Sequence, residues 1–305
     1  WADTYAVWLD RPVHASLSLT AANGSTVWEA DLAEDVVRDD PTSAHGAPGS
    51  AQARVIYAGS GSHADFARLQ ALGVRVAGAV ALVRDGGVFR GMAVRAAQAQ
   101  GAVGVLLYTD PADDGAARQR GSVERAPREA AISLPRIPSL PISYLHAQRL
   151  LRDMEGVGVE ASAVRPDWGG AIPHTTYWTG PSRHMAHMTN EMDMQTRDIW
   201  NVYAVIPGYV DTQRIMAGHH RDAWGFGTGD PSSSAAVAHD VVRGLGHLLR
   251  RGWRPARTIV LASWDAEEYG LVGSTECGED YASFLQDHVA LYHNLDMAVR
   301  GSQFR

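Results

Sequence analysis

The sequence predicts an α/β protein: a layered, mixed and largely parallel sheet joined to a β-rich N-terminal part. Two observations carry this. From about Gln195 onward, apolar strand-like runs alternate with helical stretches: DIWNVYAVIPG, QRIMAG, a helix, TIVLASW, a helix and VALYHNL. Strand–helix alternation is the signature of a layered, largely parallel sheet. Before Gln195 the chain is instead rich in short strand signals set off by glycine and proline.

Taken in order, residues 1–11 (WADTYAVWLDR) alternate and read as an isolated strand. SLSLT and STVWEA flank an AANG turn and predict a hairpin. After the Pro/Ser/Ala/Gly-rich loop DDPTSAHGAPGSAQ, residues 53–108 read strand, helix (HADFARLQALG), strand, helix (Met92 to Gln100), strand (AVGVLLY), a small α/β unit. DPADDGAARQRGSVERAPREA is polar and loop-like, LPRIPSLPISY is extended, and HAQRLLRDME is a short amphipathic helix. In the C-terminal part, Ser232 to Arg251 predicts one long helix, with Ser232 as a cap near its start and apolar residues at Ala236, Val237, Val241, Val242, Leu245, Leu248 and Leu249. Residues from Ser274 to Gln286 read as a further helix.

A chain of 305 residues suffices for one large or two ordinary domains. Its composition, 45% hydrophobic and 20% charged, is that of an ordinary globular protein. A net charge of −7 argues against a nucleic-acid partner, which calls for a basic face. The single cysteine, Cys277, cannot pair within the chain and is expected as a buried, inert thiol. The apolar runs are far shorter than the roughly 20 residues that cross a bilayer. The chain begins at Trp1 without an initiator methionine and reads as a fragment, from which a leader or anchor could have been lost. The sequon Asn23-Gly24-Ser25 marks Asn23 for glycosylation and favours a secretory route, extracellular or lumenal.

The chemistry gathers between His219 and Asp296, where HHRDAWGFGTGD, WDAEEYG and HNLD each follow a strand-like run. His220, Asp222, Asp230, Glu267, Glu268 and Asp296 are the residue types a hydrolytic metal site uses. Zinc takes imidazole nitrogen and carboxylate oxygen. One carboxylate can bridge two metals about 3.5–4 Å apart. In a Glu-Glu pair one member can ligate while the other handles a proton. Each motif alone reads equally as a surface pair, a solvated helix face or a turn residue. Their succession at three strand ends is what suggests convergence, because loops at the carboxyl ends of parallel strands share one crevice. The GFGTG glycines do not open a helix as GxGxxG, and Asp230 would repel a phosphate there.

HRDAWGFGTGDPSSSAAV, WRPARTIVLASWDAEEYGLVGSTE and NLDMAVRGSQF together closely resemble the glutamate carboxypeptidase II (prostate-specific membrane antigen) family of co-catalytic zinc peptidases. Transferrin receptor is a non-enzymatic relative. VRDGGVFRGMAVRAAQAQGAVGVLLYTDPAD resembles that family's protease-associated (apical) domain. The resemblance implies a zinc-exopeptidase domain over residues 196–305, with its first strand at 1–11 and the apical domain inserted over 12–195. It makes His220 a ligand of one zinc, with His219 as the fallback, Asp230 the bridge and Asp296 a further ligand. Glu268 becomes a ligand of the second zinc, Glu267 the general base and Asp222 the residue that holds His220. It also points to Arg90 and Ser122 as contacts for a peptide with a free C-terminus.

Three departures accompany it. The family's last ligand to the second zinc lies beyond Arg305, so of two Zn2+ sites one is incomplete here. The C-terminal domain through which the family forms homodimers is likewise beyond this span. The loop after Val123 is short, leaving Glu276 and Glu279 as half of a structural calcium site. The rival reading is a receptor-like binding protein of the same fold.

Overall fold

The computed structural model describes residues 1–35, 38–41, 47–114 and 135–299, without side chains for 33–35, 38–41 and 114. Ser122 lies outside the described residues. The chain divides into two units, one inserted (Asp10–Met194) and one split (Trp1–Leu9 with Gln195–Arg305).

Strand β1 (Ala2–Thr20) is longer than the expected opening strand and begins in the split unit. In the inserted unit it forms the predicted hairpin with β2 (Thr26–Glu29), pairing Leu19 with Trp28. Short strands β3 (Ala33–Asp35) and β4 (Arg38–Pro41) pair with each other. Then come β5 (Gly49–Tyr57), α1 (His63–Ala71), β6 (Val80–Arg84), α2 (Arg90–Ala99) and β7 (Gly104–Tyr108). After α3 (Pro111–Asp114) follow β8 (Ser139–Ile142), α4 (Tyr144–Met154) and α5 (Ala161–Val164).

β5 to β8 are parallel neighbours in sequence order. β7 and β8 are buried at every position, which is why their sequences are near-continuous apolar runs rather than alternating ones. α1 is closed at its start by a reciprocal capping box between Ser62 and Asp65. Val55, Phe66, Leu69, Leu82, Leu106 and Leu140 sit in a single large core.

The split unit is built on the C-terminal half of β9 (Met185–Ile206), then β10 (Val210–His220), α6 (Ser232–Arg250), β11 (Arg257–Trp264), α7 (Val272–Asp280), α8 (Ala282–His288) and β12 (Val289–Leu295). The strand order is β12-β10-β11-β9, with β10 parallel to both β11 and β12 and β11 antiparallel to β9. The start of β1 is held to β9 by a bond from Tyr203 N to Trp1 O (2.9 Å). Tyr203, Met216, Val260, Ala262 and Trp264 fill one face of this sheet. Cys277 is buried there, and burial pushes its thiol pKa up.

Two expectations are corrected. Ser232 does not cap α6: it is the first helical residue, and the N-cap is Pro231. Ser233 Oγ and Ser234 Oγ instead donate backwards, to Gly229 O and Pro231 O. The single helix expected over 274–286 is two helices, broken at Tyr281, which caps the end of α7 and opens α8.

Candidate metal centre

Topology assembles the site. β10 lies between β12 and β11, and all three run in the same direction. His220 ends β10, Glu267 and Glu268 follow the end of β11, and Asp296 follows Leu295, the last residue of β12. A bond from Trp264 Nε1 to Tyr292 Oη (2.8 Å) ties β11 to β12, and Tyr292 Oη in turn donates to Asn294 Oδ1 (2.9 Å) within β12.

His220 is nearly fully buried. Its Nε2 lies 3.0 Å from Asp230 Oδ1 and 3.3 Å from Asp296 Oδ1. Single donor atoms of these three residues all lie within 4.8 Å of one another. Nδ1 is 3.1 Å from the backbone carbonyl of Asp222. With Nδ1–H donating to that carbonyl, the lone pair of Nε2 faces the two carboxylates. That is the tautomer a metal-ligating imidazole needs. His219 lies one residue earlier on the strand, where side chains alternate in direction; its Nδ1 donates to His220 O (2.8 Å).

Asp230 Oδ1 supplies the test of fit. It is closed off from solvent and has no hydrogen-bond partner, although it lies 3.0 Å from His220 Nε2. An acceptor left unsatisfied in this way is costly. A cation among one imidazole nitrogen and two carboxylate oxygens would satisfy it, and that donor set suits zinc.

Without a metal the site carries surplus negative charge. Burial works to lower the His220 pKa. The adjoining Asp222, the charge of Glu267 and the nearby Asp296 outweigh it and push the value up to about 9. Burial raises the Glu267 pKa, helped by Asp296, Asp222 and Asp230 against His220. Glu268 is pushed up to about 7 by burial first, then by Asp230, Glu267 and Asp222, against the backbone amide of Trp224. That amide donates to Glu268 Oε1 at 3.3 Å.

Asp222 faces His220 with its backbone carbonyl, 3.1 Å from Nδ1. Its carboxylate is 3.7 Å from His220 Nδ1. The same carboxylate accepts from Glu267 N (3.0 Å) and Glu268 N (3.1 Å). It therefore grips the turn that presents both glutamates, while its carbonyl holds the imidazole. That turn is strained: Ala266 (φ 52°) and Leu271 (φ 59°) are non-glycine residues in the left-handed region. Such residues cost about 1–3 kcal/mol each and persist where surrounding contacts over-determine them. Neither position is a glycine, so the left-handed backbone at these two residues leaves no mark in the sequence. Sequence reasoning missed the Trp224 amide and the packing of Trp224 on Tyr269, with ring centroids 5.2 Å apart.

In the loop that carries Asp230, Gly227 has φ +58°, and a Cβ there would fall 2.3 Å from Ala223 Cβ. Gly225 (φ 64°) and Gly227 thus serve chain geometry.

The remaining candidates stand on other elements. Glu276 and Glu279 stand three apart on α7. Arg90 opens α2 in the inserted unit, with Nε 3.4 Å from Asp85 Oδ2. Asn23 is exposed in the β1–β2 turn, its Oδ1 accepting from Ser25 N (3.0 Å).

Comparison with known proteins agrees with the geometry. Residues 201–304 match peptidase family M28, and residues 34–150 match the PA domain. A probable glutamate carboxypeptidase of Arthroderma benhamiae is 40% identical over 98% of this chain and 48% of its own length. The probable glutamate carboxypeptidase AMP1 of Arabidopsis thaliana is 36% identical over 98% of this chain and 46% of its own. The aminopeptidase NAALADL1 of Mus musculus is 34% identical over 85% and 40% respectively. This chain thus spans about half the length of those relatives or less. Among solved structures, an aminopeptidase from Aneurinibacillus sp. strain AM-1 shares the fold with a TM-score of 0.60 at 17% identity, covering 97% of this chain and 60% of that one. The zinc aminopeptidase BSAP of Bacillus subtilis does so with 0.56 at 18%, covering 97% and 59%. With an M28 peptidase domain accompanied by a PA domain, the chain belongs to the glutamate carboxypeptidase II/transferrin-receptor-like family.

Proposed function

We propose that the chain is the metal-binding portion of a zinc-dependent exopeptidase of the glutamate carboxypeptidase type, which removes C-terminal residues from peptides. The observation that carries this reading is the convergence of His220 Nε2, Asp230 Oδ1 and Asp296 Oδ1, with the Asp230 oxygen otherwise unsatisfied. The names of the Arthroderma benhamiae and Arabidopsis thaliana relatives support the carboxypeptidase sense. The aminopeptidase names among the others share exopeptidase chemistry.

His220, Asp230 and Asp296 would hold one zinc, and Asp230 with Glu268 would contribute to a second. When bound, zinc lowers the pKa of a coordinated water and polarises the scissile carbonyl. Glu267, whose pKa burial raises above the usual carboxylate value, is the general base. It accepts a proton from the attacking water and returns it to the departing amine. Asp222 fixes Glu267 and Glu268 through their backbone amides rather than through their carboxylates. Among the described residues, no helix is long and apolar enough to cross a membrane.

The test is zinc per chain after dialysis, for the wild type and for His220→Ala. About one zinc, lost in the variant, supports the reading. A folded wild type that holds none moves the chain to the receptor-like alternative. Hydrolysis is then assayed on peptides with free and with amidated C-termini, and cleavage indifferent to amidation would exclude the carboxypeptidase sense.

A further inference from the structure

The loop from Asp265 to Gly273 carries both glutamates, and its two ends meet. Gly273 N donates to Asp265 O (3.1 Å), and Val272 N donates to Ala266 O (3.1 Å). The side chain of Asn201, on β9, lies across this mouth and is fully buried. Its Nδ2 donates to Gly273 O (2.7 Å), and its Oδ1 accepts from Asp265 N (3.3 Å). One amide group thus binds both ends of the loop. A Cβ at position 273 would stand 2.4 Å from Asn201 Oδ1, so the fit needs glycine there.

We propose that Asn201 is a positioning residue for Glu267 and Glu268: its amide clamps the mouth of the 265–273 loop and so keeps the turn in its strained, left-handed form. The role of the two glutamates rests on the function proposed above; the clamp itself does not. Ala266 (φ 52°) and Leu271 (φ 59°) lie inside the clamped mouth. A free loop would relax out of both conformations and carry the carboxylates with it. The Asp222 carboxylate grips the middle of the turn, through Glu267 N and Glu268 N. That grip does not reach the ends, where Asn201 reinforces the two backbone bonds across the mouth. Asp265 is anchored as well, its Oδ2 accepting from Trp200 N (2.9 Å) and lying 3.1 Å from Arg221 Nη2, so the side of the mouth that depends on Asn201 is Gly273.

The experiment compares wild type, Asn201→Asp and Asn201→Ser by hydrogen–deuterium exchange, zinc content and peptide turnover. Asn201→Asp keeps the shape and removes the donor to Gly273 O. The expected result is a rise in amide exchange of about tenfold or more confined to residues 265–273, with β10 and β11 unchanged. Where the wild type turns over peptide, kcat falls by about ten- to a hundredfold, while KM and zinc content stay within about twofold. Adding Ala266→Gly, which removes the left-handed penalty at that position, restores most of the lost kcat and part of the exchange protection. A role confined to stability would show no such rescue. Unchanged local exchange in a folded variant, exchange raised uniformly across the unit, or unfolding of both variants overturns the proposal. Wild type without zinc or turnover would instead sink the peptidase reading, and the exchange data would still decide whether Asn201 clamps the loop.

Discussion

In the inserted unit, the fully buried carboxylate of Asp110 accepts from Ala112 N, Ala171 N and Tyr177 Oη. Asp65, also fully buried, is bonded by Ser60, Ser62, Trp168 and Arg165. In the split unit, Asp230 Oδ1 is closed off from solvent and accepts nothing. The first two acids tie loops to a fold. The third holds an unmet demand, in a unit whose neighbouring loop is also strained. Core residues follow the same division. β7 and β8 are buried throughout, whereas Val241 and Leu248 on α6 remain 50% and 43% exposed and Leu291 on β12 54%. The inserted unit puts its interior into stability, and the split unit keeps polar groups poised at strand ends.

The sharpest way to break this comparison is to remove one acid from each unit. Asp230→Ala should abolish zinc binding and leave metal-free thermal stability unchanged or higher, because it removes one of the crowded negative charges that push up Glu267 and Glu268. Asp110→Ala should leave zinc content intact and destabilise the protein by about 3 kcal/mol, because three buried donors lose their partner. Melting curves with zinc titrations would show whether the two effects separate. Should Asp230→Ala prove as destabilising as Asp110→Ala, Asp230 is a structural acid and the comparison fails.

Glu267→Gln should lower turnover by about 10²–10⁴-fold with zinc content unchanged, the usual range for loss of a general base. A loss of zinc instead would make Glu267 a ligand.

A pH series sharpens the comparison further. In the metal-free protein the pKa values of His220 (to about 9), Glu267 and Glu268 (to about 7) are all raised. The folded state then binds more protons than the unfolded one, so stability falls as pH rises. The His220 contribution is fully present below its unfolded value of 6.5 and lost as pH rises through about 9; that of Glu268 is present below 4.5 and lost through about 7. The metal-free melting temperature should therefore decline from pH 5 to pH 9. Zinc must displace the His220 proton, so its apparent affinity should rise across the same span. A flat calorimetric profile would contradict this. The smallest effect is Gly252→Ala, where φ is +86° and no atom stands within 4 Å of an added Cβ; the left-handed φ alone is expected to cost about 1 kcal/mol, measured by denaturant titration.

The sequence made His220, Asp230 and Asp296 legible for a physical reason. They sit at or beyond the ends of apolar strands, and strand ends in a parallel sheet share an edge. The Ser232 cap misread the chain because a serine can bond backwards as readily as forwards, and Ser233 and Ser234 do so. The break at Tyr281 was hidden because the nearest glycine, Gly278, lies inside α7 and no proline stands at the break. The carboxylate of Asp222 reaching Glu267 N and Glu268 N was invisible, since backbone amides leave no trace in residue identity.

The donors of the candidate centre are far apart in sequence: His220 and Asp296 are separated by 76 residues. An unfolded chain cannot chelate across such a span without first paying the entropy of closing it. The full three-donor set is therefore assembled by the register of β10 and β12, which brings Asp296 to His220. Once captured, the ion would act as a rivet on the outermost strand among the described residues. A chelator would loosen that strand before any other part of the sheet, and proteolysis beginning at β12 would be the first sign that the ion had gone.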